Sequence, residues 1–131
     1  MGRGAAPAQV HAGRAEGDAL TSFDRLIRIA DRLAKVEAGS DAADAAIHEA
    51  IGQAGPVLSY TTDEAAARTL LPPGFEWMPT TYSAGWVYAP CRRSGLVADG
   101  VPFPHHDQFG RTLPLAMSGA AMRAWAKVAK G

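Results

Sequence analysis

Residues 60–77 read YTTDEAAARTLLPPGFEW. Thr61, followed by Glu64 three positions later, forms a capping box, which predicts a short helix over residues 65–71. The two prolines at 72 and 73 end that helix, because proline disfavours helical backbone in the residue before it. Phe75 and Trp77 then alternate with a glutamate, as in a strand with one buried face. A short helix is therefore predicted to lead directly into a sheet.

A hairpin is predicted immediately after this helix. Residues 75–82 and the alternating aromatic run Trp86–Ala89 are separated by Ser83-Ala84-Gly85, which is typical of a turn. Pro79 places the first strand at an edge or a bulge of the sheet, because proline cannot donate to the ladder. Residues 91–111 are punctuated by glycine and proline and predict an irregular loop, in which Leu96-Val97 and Val101 are candidates for one more short strand.

Helices flank this hairpin on both sides in the sequence. Apolar residues recur at helical spacing from Leu20 to Leu33, and a second, alanine-rich helix is predicted over residues 42–51. Thr112 is predicted to cap a long final helix that ends near Ala129. The sequence thus predicts an α+β protein with a helical N-terminal segment, a small antiparallel sheet and a long C-terminal helix.

The composition predicts a single domain with a thin core. The chain has 131 residues and is 47% hydrophobic, but it contains 27 alanines. Helices that pack closely through alanine are therefore expected. Residues 1–19 are rich in alanine and glycine and predict a disordered tail, which leaves residues 20–131 as the domain.

Charge and cysteine usage exclude several classes of protein. Thirteen basic and thirteen acidic residues balance, which disfavours broad electrostatic binding to nucleic acid or to acidic membranes. No stretch is long and apolar enough to predict a transmembrane helix. Cys91 is the only cysteine, so an intramolecular disulfide and cysteine-rich zinc sites are excluded, and a reducing, cytoplasmic setting is expected.

Two stretches resemble the sequence of a known family. Residues 60–77 match the run YT-x-x-x-x-AA-x-x-L-x-P-x-G-[FW]-x-W, and residues 110–124 are similar to a closing helix written TPALALCAAALRA. Over residues 20–129 the chain resembles the phage ABA-sandwich domain, which occurs in small proteins of bacteriophages and prophages. The chain departs from that pattern at Leu113 and in its longer 91–111 segment.

The resemblance implies a fold and a biological setting. The fold is a small antiparallel β-sheet sandwiched between helices, in agreement with the pattern above. The setting is a phage or prophage accessory protein in the cytoplasm of a bacterial host. The function of that family is not established, so no catalytic residue is carried over and no cofactor is implied. We therefore predict a non-catalytic protein that binds a protein partner or assembles with itself.

His105, His106 and Asp107 form the cluster most typical of metal chemistry. Two imidazoles and a carboxylate are ligands that transition metals accept. Adjacent residues of a strand point to opposite faces, however, so both histidines bind one ion only from a loop. The alternative is a solvated loop without a metal, and a metal-dependent enzyme is the least favoured of the functions considered.

A second candidate site combines arginine with aromatic side chains. Arg92, Arg93 and Arg111, together with Trp86 and Tyr88, predict a surface that grips phosphate and stacks a base of a small nucleotide. The alternative is a half-buried aromatic hairpin with arginines in solvent. Cys91 beside two arginines is also a candidate thiolate, against a buried structural cysteine. Convergence of the arginines on one concave site would favour the nucleotide interpretation.

Overall fold

The computed structural model describes residues 14–94, 97–98, 101–102 and 105–130. Within them the helices are α1 (Arg14–Lys35), α2 (Asp41–Ala50), α3 (Glu64–Arg68) and α4 (Leu113–Lys130). The strands are β1 (Phe75–Trp77), β2 (Thr81–Ser83), β3 (Trp86–Arg93), β4 (Val97–Ala98), β5 (Val101–Pro102) and β6 (His105–Gly110). The α+β class, the helical N-terminal segment, the small antiparallel sheet and the long C-terminal helix are confirmed.

β3 is the centre of the main sheet. Along one edge it pairs with β6 over almost its whole length, and along the other it pairs first with β2 and then with β1, all antiparallel. Pro79 lies between β1 and β2 and interrupts what would otherwise be one strand. Across this gap the Met78 N–H donates to the Pro90 carbonyl at 3.0 Å. The N–H and C=O of a strand residue point toward the same neighbouring strand. Pro90 therefore lacks its N–H donor only on the side of the gap, and the pairing of β3 with β6 continues on its other side.

The segment 91–111, predicted to be an irregular loop, is largely paired. β3 extends to Arg93, β4 and β5 form a separate two-stranded ribbon, and β6 begins at His105. Turn-forming residues within the segment suggested a loop, but the ladder between β3 and β6 brings together positions far apart in the sequence. The register of β3 and β6 depends on contacts between residues far apart in the chain, so the local sequence gives little indication of these strands.

Helix boundaries differ from the predicted ones at several places, and α3 ends at Arg68 rather than at Leu71. α1 begins at Arg14, inside the segment 1–19 that the sequence predicts to be a disordered tail. Ala15, Glu16 and Ala19 favour helix, which accounts for this earlier start. Residues 1–13 lie outside the described part of the chain. α3 is capped by Asp63, whose side chain accepts from the Ala66 N–H at 3.0 Å. Thr61 does not cap that helix, since its hydroxyl and its backbone N–H both donate to Asp44.

α4 joins the two parts of the core. Its alanines 116, 120 and 124 are fully buried beside Val87, Ala89 and Cys91 of β3. Another side of α4 packs against α1, where Leu26, Ala30 and Leu33 are buried with Met122. The small side chains allow the backbones to approach closely; a Cβ built at Gly110 would lie 2.8 Å from the Ala116 nitrogen. None of the described helices is long and apolar enough to cross a membrane.

Candidate functional site

The two faces of the main sheet have different surroundings. Val87, Ala89 and Cys91 of β3 point toward α4 and are buried. Directly paired residues share a face, so Gln108 opposite Ala89 also lies on this inner side. The opposite side, here called the open face, carries Glu76, Trp86, Tyr88, Arg92, Asp107 and Phe109. Phe109 is 54% exposed there.

Neighbouring side chains of the open face contact one another in pairs. The rings of Tyr88 and Phe109 lie 5.0 Å apart in a tilted arrangement. The Tyr88 hydroxyl donates to Asp107 Oδ2 at 2.7 Å. Arg92 Nε donates to Glu76 Oε2 at 2.9 Å. The open face is therefore an ordered surface in which two aromatic rings, one of them hydrogen-bonded to Asp107, lie on the same face as the ion pair of Arg92 and Glu76.

The hydrogen bond to Asp107 stabilises the protonated form of Tyr88. It raises the pKa of the phenol above its ordinary value, and burial and the negative charge of Asp107 act in the same direction. The hydroxyl thus remains a proton donor at neutral pH. This suits a side chain that orients Asp107, and it does not suit a general base.

The three candidate arginines occupy different places. Arg92 lies on the open face, whereas Arg93, the next residue of the strand, is placed with its guanidinium 5.1 Å from the centre of the Phe75 ring. Arg111 stacks over Trp86 at 4.2 Å, at the other end of β3. Six residues of extended strand separate Trp86 from Arg92, a distance of about 20 Å. The geometry does not bring these arginines to one concave site.

A shallow cleft adjoins the stacked pair of Trp86 and Arg111. It has a volume of about 440 Å³ and lies between the β2–β3 turn and the start of α4. Tyr82 and Leu113 contribute to its walls. Arg111 already covers one face of the Trp86 ring, and Tyr88, Arg92 and Arg93 are not among the lining residues. Of the five residues predicted to bind a nucleotide, two therefore meet at a cleft.

The residues predicted to bind a metal alternate along β6. His106 is opposite Cys91, and its ring centre lies 6.0 Å from that of Phe75. Asp107 is on the open face with Tyr88, so the two side chains leave opposite sides of the strand. His105 is paired with Arg92, but its side chain lies outside the described part. Among the described side chains, no group of three or more His, Cys, Asp or Glu could hold a metal ion.

Cys91 is a buried thiol of the sheet–helix interface. Its side chain has no exposed surface and lies between β3 and α4, with Sγ 3.9 Å from the Ala120 carbonyl oxygen. Burial, with a contribution from the charge of Asp107, raises its pKa to about 12. Nucleophilic chemistry requires the thiolate, so this thiol is chemically inert in the folded protein at neutral pH.

The sequence did not predict a groove between α1 and α2. Ile29 and Leu33 of α1, Val36 directly after it, and Ala43 and Ala46 of α2 line it, and three arginines of α1, 25, 28 and 32, stand at its rim. The sequence does contain a signal for it. Ile29, Leu33 and Val36 are spaced by four and three positions, as on one face of a helix. The three arginines have the same kind of spacing and lie beside that face.

Comparisons with family models, with curated proteins and with solved structures found no match to this chain. The resemblance to the phage ABA-sandwich domain stays a prediction from the sequence.

Proposed function

We propose that this is a non-catalytic protein that acts by docking another protein on the open face of its sheet. The observation that supports this best is the exposure of Phe109, which is 54% accessible although it lies in a strand paired with β3, beside Tyr88. Large aromatic residues held in order at a surface are typical of the energetic centres of protein interfaces.

The charges of the open face favour a protein partner over nucleic acid. The described charges of this face balance in number. Arg92 pairs with Glu76, and the charge of Asp107 offsets that of Arg111, which stacks on Trp86. A phosphate backbone needs an excess of positive charge, and this face has none. Paired charges around aromatic rings match the mixed composition of protein interfaces.

The size of the open face predicts a transient complex. Six residues of strand and three strands of width cover about 300 Å². Stable interfaces bury about 800 Å² on each partner, so this surface alone suits a weak, transient association. A tighter complex would need contacts from a neighbouring surface as well.

For the setting we propose the cytoplasm of a bacterium carrying a phage or a prophage. This part of the proposal is supported only by the resemblance of residues 60–77 and 110–124 to the phage ABA-sandwich domain. The partner would then be a second copy of the chain, another phage protein or a protein of the host.

The test compares two substitutions of exposed apolar residues. Phe109→Ser removes the exposed ring of the open face, and Val128→Ser removes an apolar side chain that is 42% exposed on α4. Sedimentation velocity over a range of concentrations measures self-association, and quantitative crosslinking in infected cells measures association with other proteins. We expect at least a tenfold loss of the association with Phe109→Ser and none with Val128→Ser. Equal effects of the two substitutions would refute the proposal.

The small-ligand alternative has its own test. The stacked pair of Trp86 and Arg111 beside a cleft is the feature that favours it. Native mass spectrometry of the purified protein would then show a nucleotide-sized mass that disappears with Arg111→Ala. Such a result would place ligand binding ahead of protein docking.

A further inference from the structure

A groove on the side of the molecule formed by α1 and α2 has an apolar floor. It has a volume of about 400 Å³ and is lined by Ile29, Leu33 and Val36 on one side and by Ala43 and Ala46 on the other. The hollow exists because α2 presents alanines where larger residues would fill the space between the helices. A pocket of this size with an apolar lining is in the range that small molecules occupy.

Arginines of α1 form one rim of this groove. Arg25, Arg28 and Arg32 follow one another by three and four positions and therefore share a side of the helix. Arg25 is engaged, since its guanidinium donates to Glu49 Oε1 at 2.5 Å. Within the part of the chain that the structure describes, Arg28 and Arg32 form no ion pair with a carboxylate. Among the described residues, these two guanidiniums thus lie beside an apolar surface without a paired carboxylate.

We propose that this groove binds a small amphiphilic anion, a molecule with a carboxylate head and an apolar tail. Arg28 and Arg32 are one turn apart, about 6 Å between their Cβ atoms, so both can reach one carboxylate. The planar fork of arginine matches the two oxygens of that group. The tail lies on Ile29, Leu33 and Val36, along the end of α1 and the residue that follows it, a rise of about 16 Å from Arg25 to Val36.

The shape of the groove favours a small molecule over a helix of a partner protein. The wall from α2 consists of Ala43 and Ala46, which are three residues and about 4.5 Å apart along the axis. A docked helix is about 10 Å wide, and it would find a second wall over a single turn only. This inference is independent of the proposed docking on the sheet, which lies on another side of the molecule.

The test uses dodecanoate as the probe, below its critical micelle concentration, with the full-length protein and isothermal titration calorimetry. Dodecyltrimethylammonium has the same tail with the opposite charge and serves as the ligand control. The double substitution Arg28→Gln with Arg32→Gln removes both cations from the rim. Because these positions are exposed, the variant should remain folded, which circular dichroism verifies. Arg68→Gln removes an exposed arginine of α3, outside the groove, and is the matched control.

We expect dodecanoate to bind at one site, at least tenfold more weakly to the double variant, and with unchanged affinity to Arg68→Gln. Ala46→Leu fills the hollow and should abolish binding while leaving the melting temperature of the unliganded protein the same or higher. Equal affinity for the cationic amphiphile, or no effect of the double substitution, would overturn the proposal. Binding of an acidic amphipathic peptide in place of dodecanoate would also overturn it, in favour of a protein ligand.

Discussion

The side-chain amide of Gln108, on β6, donates a hydrogen bond to the backbone carbonyl oxygen of Ala30, in α1, across 78 positions of sequence. The same side chain accepts from Arg123 Nε of α4 at 2.8 Å, and Arg123 donates to Asp31 Oδ1 at 2.8 Å. Gln108 is only 4% exposed. One buried polar residue thus connects the sheet, the N-terminal helix and the C-terminal helix.

Replacing Gln108 by leucine should destabilise the protein by about 1–3 kcal/mol, because Arg123 loses a partly buried acceptor. The measurement is urea unfolding followed by circular dichroism. Asp31→Asn, which removes the charge of the more exposed partner of Arg123, should cost less than about 1 kcal/mol. If the two variants unfold at the same urea concentration as the native chain, Gln108 does not hold the three elements together.

A second prediction concerns the buried alanines of α4. Ala120 is fully buried beside Cys91, whereas Ala129, on the same helix, is exposed. Ala120→Leu should therefore force the helix away from β3 and cost about 1–3 kcal/mol or more of unfolding free energy. Ala129→Leu should change it by less than about 0.5 kcal/mol. Similar melting temperatures for the two variants would mean that the interface is loosely packed.

Local signals in the sequence predict much of this fold but not the pairing of its parts. Thr112 marks the start of α4 as predicted, because a cap acts within one turn, whereas α3 already ends at Arg68, before the predicted stop at Pro72 and Pro73. The role of Gln108 could not be predicted, since nothing near it in sequence indicates Ala30 as its partner. The same holds for β6, which is specified by its register with β3.

The candidate site shows the same division between local and tertiary information. The alternation of Trp86 and Tyr88 correctly predicts that they share one face of a strand. The distribution of the arginines depends on where β3 ends and α4 begins, so their separation could not be inferred. The groove between α1 and α2 depends on how the two helices pack. The spacing of Arg28 and Arg32 indicates that they share a face of α1, but it does not indicate which helix lies beside that face.

Asp44 and Thr61 make a third prediction. Asp44 is 4% exposed, and its Oδ1 accepts from the Thr61 backbone N–H at 2.8 Å and from its hydroxyl at 2.7 Å. Asp44→Ala leaves both buried donors without this acceptor and should cost about 1–3 kcal/mol in thermal or urea unfolding. Asp41→Ala, at an exposed position of the same helix turn, should cost less than about 1 kcal/mol.

A neighbouring glycine tests the same junction in a different way. A Cβ built at Gly39 would lie 2.3 Å from Thr61 Oγ1 and 2.4 Å from its carbonyl oxygen. Gly39→Ala should therefore destabilise the protein at least as much as Asp44→Ala, since backbone must move to make room. A stable Gly39→Ala variant combined with a stable Asp44→Ala variant would show that α2 and the segment before α3 are not held together here.

The buried thiol of Cys91 predicts how the protein responds to high pH. Its pKa is raised from the ordinary 9.0 to about 12, so the unfolded chain releases the thiol proton at lower pH than the folded one. The free energy of unfolding should therefore fall as pH rises from about 9 toward about 12. The fall should be smaller in Cys91→Ala, although Tyr88, whose pKa is also raised, titrates in the same direction.

A disulfide-exchange reagent at pH 8 should label Cys91 far more slowly in the native protein than in urea. Equal labelling rates, or an alkaline profile that Cys91→Ala leaves unchanged, would contradict the burial of this thiol between β3 and α4.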